Sequence, residues 1–394
     1  MNATGIPQEM PSAGAAPAQE ASALPDFLGG EKLEDGIGLC LSGGGFRAML
    51  FHLGAFVRLN EVGLLGKIDR VASVSGGSIA AGALAVAWNK LTFDGDDVAT
   101  NLLEEVAAPI LKLADKCVDV PAILLGLLPF VSAAGRAAAV YDKVLFHGKS
   151  LQELPSHPRF SFTATSLQSG VLWRFAKDYA ADWRVGRWDA PNLPIAAAVA
   201  ASAAFPPYLS PAYVDVPKGA IVAQPGGDLS GDGFTSRLRL TDGGIYDNLA
   251  LEPVWKRYRT ILVSDGGAVT PASASVKANW LSLATRATDI ALQQGINMRR
   301  RVLLGLQRSG ERKMAYWGIT DGIDRYGVDN PLGFTSEETR RAALVPTRLT
   351  RFSVDIRTCV LRAGYAHADA ALRGGNIPLP NSRKADFSAL PAVL

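Results

Sequence analysis

A net charge of +3 over 394 residues gives no electrostatic reason to expect nucleic acid as a partner, and we expect none. Hydrophobic residues make up 48% of the chain, which is enough to bury a large core in one big α/β domain or two ordinary ones. The three cysteines are far apart and form no CxxC pair, which excludes a disulfide framework and suits a reducing compartment.

The two ends of the chain are predicted as tails around one domain. Residues 1–30 are rich in Ala, Pro, Gly and Ser and lack the basic and apolar segments of a signal peptide, so they are predicted to be disordered. Residues 381–394 are predicted as a C-terminal tail. No stretch reaches the roughly 18 apolar residues that a membrane span needs. We therefore expect a cytoplasmic protein with peripheral membrane contact, and export without a cleaved signal peptide stays open.

Strands and helices alternate after the N-terminal tail. Residues 36–41 are predicted as a buried strand and residues 46–62 as a helix. A second strand is expected at 68–74, followed by a helix of small residues at 78–88. Strand–turn–helix units repeated in this way predict a parallel sheet that is covered by helices.

The rest of the chain continues one domain, which we expect to span residues 31–380. Residues 90–150 are predicted as a helical insertion. No repeat or linker divides the chain. The later elements are predicted as paired strands at 160–165 and 171–175, a helix at 195–204, strands at 237–240 and 260–263, and a helix at 278–306.

Ser75 is the candidate nucleophile, because Ser73-Val-Ser75-Gly-Gly77 lies at a predicted strand-to-helix turn. A nucleophile elbow places its serine on a strained turn, where neighbouring residues must be small. The first glycine of the usual G-x-S-x-G pattern is Ser73 here. An ordinary Gly/Ser-rich turn remains the alternative, and Ser73 and Ser78 are less suitable nucleophiles because they would lie on the strand and inside the helix.

Gly43, Gly44 and Gly45 follow the first strand and begin a helix. A dinucleotide loop would need an acidic residue at the end of the second strand, and a P-loop would need Gly-Lys-Ser/Thr. An oxyanion hole fits better, since consecutive glycines leave their amides unobstructed at a helix start. Arg47 would steady this loop or attract an anionic head group, and a solvated helix arginine is the alternative.

The acid–base partner of the serine is less certain from local chemistry. None of the four histidines (His52, His147, His157 and His367) has the surroundings of a catalytic loop histidine. Asp242 and Asp265 each end a predicted strand and are each followed by Gly-Gly. Both are candidate bases, and an ordinary Asp-Gly turn is the alternative for either.

Taken together and in this order, the motifs at residues 43–47, 75–77 and 242–244 resemble those of the patatin-like phospholipases, and residues 43–49 also look like the cytosolic phospholipase A group. The resemblance implies a three-layer α/β/α patatin-like fold with a mostly parallel central sheet and a helical insertion. It also implies a Ser–Asp dyad that works without histidine, metal or cofactor.

Matched residue by residue, the resemblance makes Ser75 the nucleophile and Asp242 its partner, because the family's Asp-Gly-Gly motif is followed by an asparagine, as Asn248 follows residues 242–244 here. The remaining matches are the oxyanion-hole residues Gly43, Gly44 and Gly45, and the supporting residues Arg47, Gly76, Gly77, Gly243 and Gly244. Residues 201–206 resemble a family block that packs near the site without being catalytic.

The expected function is hydrolysis of fatty-acyl esters of phospholipids or lysophospholipids at a lipid or membrane surface. An acyltransferase with the same dyad and a catalytically silent lipid-binding protein are the alternatives, and the sequence identifies no protein partner. The apolar residues 120–131 are read either as a membrane-dipping lid or as a buried helix. The basic run at 299–301, with Arg308, Arg312 and Lys313, would meet anionic lipid or form a solvated helix face.

Overall fold

The computed structural model describes residues 33–119, 132–270, 272–277, 279–375 and 377–393. The predicted N-terminal tail at 1–30 and the apolar segment at 120–131 lie outside the described residues.

In the described part of the chain, an eleven-stranded mixed sheet forms the centre of the fold. Its strands are β1 (Glu34–Leu41), β2 (Arg70–Val74), β3 (Arg159–Ser166), β4 (Leu172–Ala176), β5 (Tyr179–Asp182), β6 (Gly186–Asp189), β7 (Ala212–Asp215), β8 (Ile221–Val222), β9 (Arg237–Asp242), β10 (Tyr258–Asp265) and β11 (Lys313–Gly318).

The strand order is β11-β10-β1-β2-β3-β4-β5-β6-β8, with β9 on β3 and β7 on β9. Strands β11, β10, β1, β2 and β3 run parallel. Beyond β3 every pairing is antiparallel. The predicted parallel centre is confirmed, and the hairpin predicted around residue 170 begins an antiparallel half that the sequence did not otherwise reveal.

The α-helices of the described residues match the predicted ones closely where a helix was predicted, and helices also occupy the insertion predicted at 90–150. They are α1 (Gly45–Glu61), α2 (Gly76–Ala87), α3 (Ala108–Ala114), α4 (Ala133–Tyr141), α5 (Ile195–Ser202), α6 (Asp232–Thr235), α7 (Gly244–Asp247), α8 (Trp280–Arg308), α9 (Ser336–Ala343) and α10 (Val354–Gly374).

The two faces of the sheet are covered by different elements. In β1, Leu39 and Leu41 face a core that is shared with α1, α2 and α10. Cys40 points to the opposite face, towards residues 249–255 and the C-terminal end of α8. Side chains of a strand alternate between faces, so a sheet buried on both sides needs apolar residues at every position. The predicted three-layer α/β/α arrangement is confirmed.

Helix α1 is buried along its whole length because α10 lies directly against it. A Cβ atom on Gly54 would lie 2.1 Å from the Leu361 carbonyl oxygen, and one on Gly364 would lie 1.9 Å from that of Phe51. The two glycines therefore permit a backbone approach that no other residue allows. The segment predicted as a tail at 381–394 packs on the same pair, since Phe387 contacts Tyr365 and the Arg383 carbonyl accepts a 2.8 Å hydrogen bond from Arg58.

Candidate active site

Strands β2 and β9 meet end to end on one flank of β3. Val74, the last residue of β2, pairs with Thr163, while Asp242, the last residue of β9, pairs with Ala164. Strand β4 occupies the other flank of β3. Because β2 runs parallel to β3 and β9 runs antiparallel to it, their carboxyl ends point at each other. This register brings the residue after Val74, which is Ser75, next to Asp242.

Ser75 has a backbone conformation that side chains rarely adopt, with φ 54° and ψ −121°. It lies between β2 and α2 and is only 9% exposed. Gly76 and Gly77 begin the helix, and a Cβ on Gly76 would come within 2.1 Å of the Gly45 carbonyl oxygen. The sequence therefore forms the strained strand-to-helix turn that the Ser-Gly-Gly pattern predicts.

Asp242 is 2% exposed and has an unusual proton affinity. Its Oδ1 accepts a 2.8 Å hydrogen bond from the Gly244 amide, whereas Oδ2 has no partner of good geometry among the described residues. Burial raises the pKa of Asp242 to about 6, against the opposing effects of the Gly244 amide and the Ser75 hydroxyl. The Ser75 hydroxyl is thus near enough to favour the ionised form of Asp242, although no hydrogen bond of good geometry joins the two side chains among the described residues.

Within the described residues, one amide of the glycine-rich loop donates a hydrogen bond and the other two do not. The Gly43 amide donates to the Asn248 carbonyl oxygen at 3.2 Å, so it is already committed within the protein. Among the described residues, no acceptor is bound by the amides of Gly44, Gly45 and Gly76. Gly44 and Gly45 follow β1, the neighbour of β2, and the loop packs against the Ser75 turn. The structure thus offers two loop amides together with the amide that follows Ser75, and Gly43 supplies none.

Arg47 is 1% exposed, which makes the solvated-arginine alternative wrong. Its Nε donates to the Gly266 carbonyl at 3.0 Å and its Nη1 to the Val345 carbonyl at 2.5 Å. Burial lowers the pKa of Arg47 to about 10, with Asp265 acting in the opposite direction. Arg47 therefore ties the glycine loop to two other loops, and at this burial it is not placed to meet a head group.

A buried group of serine hydroxyls lies behind the nucleophile turn. The Ser75 amide donates to Ser202 Oγ at 3.0 Å. Ser78 Oγ lies 2.8 Å from Ser202 Oγ and donates to Ser73 Oγ at 3.0 Å. Ser73 thus occupies the position of the usual glycine with its hydroxyl group hydrogen-bonded. The contribution of Ser202 was missed at the level of sequence, although the block at 201–206 was expected to pack nearby.

The rival bases lie elsewhere. Asp265 ends β10, two strands away from β2, and its Oδ2 accepts a 2.5 Å hydrogen bond from Tyr316. His52 is fully buried between Ser264 Oγ and the Ser42 carbonyl oxygen. His367 contacts Tyr326 and Thr339, His157 lies 4.0 Å from Asp69, and His147 is exposed at the end of a helical turn. None of the four histidines lines the cavity at Ser75.

A cavity of about 590 Å³ opens above Ser75 and Asp242. Its size falls in the range of small-molecule sites, and most of its surface is apolar. The apolar part of the wall consists of Ala203, Phe205, Tyr208, Leu209, Ala268, Val269, Leu292, Ile296 and Leu349. Such a wall fits a hydrocarbon chain, because most of the surface that it offers is apolar.

Within the described residues, no group of His, Cys, Asp and Glu side chains is arranged to hold a metal ion. No helix in the same ranges is long and apolar enough to span a membrane. Two arginines of the basic run are occupied: Arg299 pairs with Asp247 at 3.3 Å and Arg300 with Asp321 at 2.7 Å.

Comparison with known proteins adds structural and family relationships. The chain shares 12% identity with human GIVD cytosolic phospholipase A2, with 86% of this chain and 60% of that chain covered and a TM-score of 0.49. It shares 15% identity with VipD from Legionella pneumophila, with 87% and 67% covered and a TM-score of 0.36. The chain thus spans well under two thirds of the human enzyme.

No curated protein sequence matches the chain. The patatin-like phospholipase family model matches residues 39–255, which is more than half of the sequence and includes the glycine loop, Ser75 and Asp242. The chain therefore belongs to the patatin-like phospholipase family.

Proposed function

We propose that the protein is a serine lipid acyl hydrolase that cleaves fatty-acyl esters of phospholipids or lysophospholipids through a Ser75–Asp242 dyad. One observation carries this proposal: a strained serine and a buried carboxylate of raised pKa meet at the floor of an apolar cavity. Perturbed carboxyl groups in clefts are typical of acid–base catalysts.

Acylation begins when Asp242 accepts the proton of the Ser75 hydroxyl. The serine oxygen attacks the ester carbonyl carbon, and the carbonyl oxygen becomes an oxyanion. The tetrahedral intermediate then collapses, the bond to the alcohol breaks, and Asp242 returns its proton to the departing oxygen. The products are an acyl-serine ester and the free alcohol, which is a lysophospholipid or a glycerophosphodiester.

The oxyanion is stabilised by backbone amides that have no acceptor within the described part of the chain. Gly44, Gly45 and Gly76 supply these amides, in place of the full Gly43–Gly45 set expected from the sequence. Each such donor typically contributes about 3 kcal/mol to transition-state stabilisation. The N-terminus of α2 adds a favourable dipole at the same point.

Deacylation uses the same groups with water as the nucleophile. Asp242 accepts a proton from water, and the hydroxide attacks the acyl carbonyl. The intermediate releases the fatty acid when Ser75 recovers its proton from Asp242. A carboxylate works as the base here because burial raises its pKa towards neutrality, which improves proton transfer without loss of the ionised form at pH 7.

The test compares hydrolysis of a fluorogenic medium-chain ester by the wild type, Ser75→Ala and Asp242→Asn. We expect both variants to lose at least about 10³-fold in kcat, as when a nucleophile or its base is removed. Asp265→Asn is the matched control, since it changes the other Asp-Gly-Gly aspartate and lies two strands away. Activity that survives in Ser75→Ala would refute the proposal. Product analysis with an added lysolipid distinguishes hydrolysis from acyl transfer.

A further inference from the structure

The described part of the cavity wall carries one cation. The charged side chains among the described residues that line the cavity are Asp119, Asp242, Asp289 and Arg348. Arg348 is therefore the only positive charge in the described wall. It lies directly beside the glycine loop, because its carbonyl oxygen accepts a 2.9 Å hydrogen bond from the Phe46 amide and touches the backbone at Gly45.

The Arg348 guanidinium has one hydrogen-bonding partner among the described residues, which is Asp119. Its Nε donates to Asp119 Oδ2 at 2.5 Å, and the Asp119 side chain is 8% exposed. The Arg348 side chain is 50% exposed, and its Nη1 and Nη2 atoms bind no acceptor among the described residues. A buried carboxylate thus fixes the guanidinium through its inner edge, which leaves the outer N–H groups available to a ligand.

A second donor lies at the same rim. Tyr208 lines the cavity, is 63% exposed and is near enough to Arg348 to interact with it electrostatically. Arginine and a phenol hydroxyl together suit an oxyanion with several acceptor oxygens, and guanidinium groups bind phosphate through two parallel hydrogen bonds. A neutral acyl ester offers no such partner.

We propose that Arg348, assisted by Tyr208, binds the phosphate of a phospholipid substrate and gives the site a preference for phospholipids over neutral acyl esters. The proposal rests on the proposed function, because it assumes that the scissile ester lies at Ser75. In a phospholipid the phosphate is only a few bonds from the esters, so a carbonyl held by the glycine loop brings the phosphate towards the residue that abuts the loop.

The experiment measures kcat/KM for two soluble substrates with identical acyl chains, dihexanoyl phosphatidylcholine and dihexanoyl glycerol. Both are used as monomers, so that adsorption to an interface does not enter. The ratio of the two kcat/KM values is compared in the wild type, Arg348→Gln, Arg348→Lys and Arg351→Gln. Arg351 is the matched control: it is an exposed arginine that pairs with Asp115 at 3.6 Å and does not line the cavity.

We expect the ratio to fall about 10- to 100-fold in Arg348→Gln, since a hydrogen-bonded charge is lost. In Arg348→Lys the ratio falls less, because the positive charge remains while the paired N–H groups of the guanidinium are lost. In Arg351→Gln the ratio equals that of the wild type. Arg348→Lys keeps a cation opposite Asp119 and carries the test if the glutamine variant does not fold. An unchanged ratio in both Arg348 variants, or an equal fall in Arg351→Gln, overturns the proposal.

Failure of the proposed function gives a different result. A wild type that cleaves neither substrate contradicts the dyad, and binding then decides the role of Arg348. The probe is dihexyl ether phosphatidylcholine, which cannot be cleaved, titrated into Ser75→Ala protein with and without Arg348→Gln. At least tenfold weaker binding in the double variant supports phosphate recognition, and equal binding refutes it.

Discussion

Ser202 joins the two halves of the site: its Oγ accepts a 3.0 Å hydrogen bond from the Ser75 amide, and its carbonyl oxygen accepts a 3.2 Å bond from the Gly243 amide. Ser202 is the last residue of α5 and is fully buried. One residue therefore holds the strained nucleophile turn and the turn that follows Asp242 in a fixed relation.

Replacement of Ser202 by alanine removes only the first of these two bonds. The Ser75 amide then lacks an acceptor in a buried position, which costs about 1–3 kcal/mol. We expect the free energy of unfolding to fall by that amount and kcat to fall with it, because the unusual φ of Ser75 loses its support. Urea unfolding and ester hydrolysis measure the two effects.

Ser78→Ala is the control for this prediction. Ser78 Oγ contacts Ser202 and Ser73 but not the backbone of Ser75, so its loss weakens the hydroxyl group without releasing the nucleophile amide. We expect Ser78→Ala to retain more activity than Ser202→Ala. Equal activities of the two variants would mean that the hydrogen bond to the Ser75 amide does not affect kcat.

Asp242 should destabilise the fold at neutral pH. Its pKa rises from the usual 3.8 to about 6 in the folded protein, so the unfolded chain ionises first as pH rises. The free energy of unfolding of the wild type therefore falls between about pH 4 and pH 6 and then levels off. A shift of this size corresponds to about 3 kcal/mol. We expect Asp242→Asn to be more stable by up to that amount at pH 8.

The same comparison at pH 4 removes most of the difference, because Asp242 is then protonated in the folded protein and nearly half protonated in the unfolded chain. Unfolding in urea at pH 4 and pH 8 measures both values. Asp265→Asn should instead lose stability, because Asp265 accepts hydrogen bonds on both carboxylate oxygens, from Tyr316 and from the Gly267 amide, and asparagine has only one side-chain oxygen. A stability gain in Asp242→Asn that is independent of pH would contradict the burial argument.

The pH dependence of activity should report the same carboxyl group. Asp242 must be ionised to accept the serine proton, so kcat/KM should decrease below an apparent pKa of about 6. This decrease is the acidic limb of the pH–activity profile. Burial lowers the pKa of His52 to about 4 and that of His367 to about 3, so neither buried histidine accounts for an acidic limb near pH 6.

Added methanol identifies the titrating group. A less polar solvent disfavours ionisation of a neutral acid, so a carboxyl limb moves to higher pH, whereas loss of a proton from an imidazolium creates no new charge and its limb does not rise. We expect the limb to rise with methanol content. A limb that stays or moves down would point to a histidine and against the dyad.

Local sequence was enough to predict the two turns that carry Ser75 and Asp242, but not that they lie next to each other in the fold. The Ser-Gly-Gly and Asp-Gly-Gly tripeptides predict turns wherever they occur. Asp242 and Asp265 are both followed by Gly-Gly, so local chemistry does not distinguish them. What separates them is register: Asp242 pairs with Ala164 in β3, next to the pairing of Val74 with Thr163. Register across strands far apart in the sequence depends on the packing of the whole sheet, and no single segment encodes it.

The glycine loop shows the same limit on a smaller scale. Three consecutive glycines predict accessible amides, and two of them have no internal acceptor. The Gly43 amide is taken by the carbonyl of Asn248, a residue that the sequence linked to Asp242 only through a family pattern. Likewise, Ser202 lies more than a hundred residues from Ser75, and its role becomes visible only when α5 is placed against the nucleophile turn.

Helix α8 should mediate contact with a lipid surface. Trp280, Leu283 and Ile290 are 79%, 45% and 46% exposed, and their spacing places them on one side of the helix. Leu292 and Ile296 of the same helix line the cavity. The helical spacing places this strip on the side of α8 opposite to the cavity-lining residues, so it would anchor the protein on a bilayer without forming part of the cavity wall.

The triple variant Trp280→Ala/Leu283→Ala/Ile290→Ala should bind phosphatidylcholine vesicles at least about tenfold more weakly, since each buried large side chain contributes about 1.5–3 kcal/mol. Vesicle sedimentation measures this, and hydrolysis of a soluble ester checks that the site is intact. Val222→Ala is the control, because Val222 is 57% exposed on β8, the strand at the far edge of the sheet.

Salt separates this apolar contact from an electrostatic one. Arg299 and Arg300 are paired with Asp247 and Asp321, so these two charges are not free to attract anionic lipid. Vesicle binding by the wild type should therefore persist at high ionic strength, where exposed charges are screened. Binding that disappears with salt while the triple variant behaves like the wild type would assign the contact to charge and reject the apolar strip.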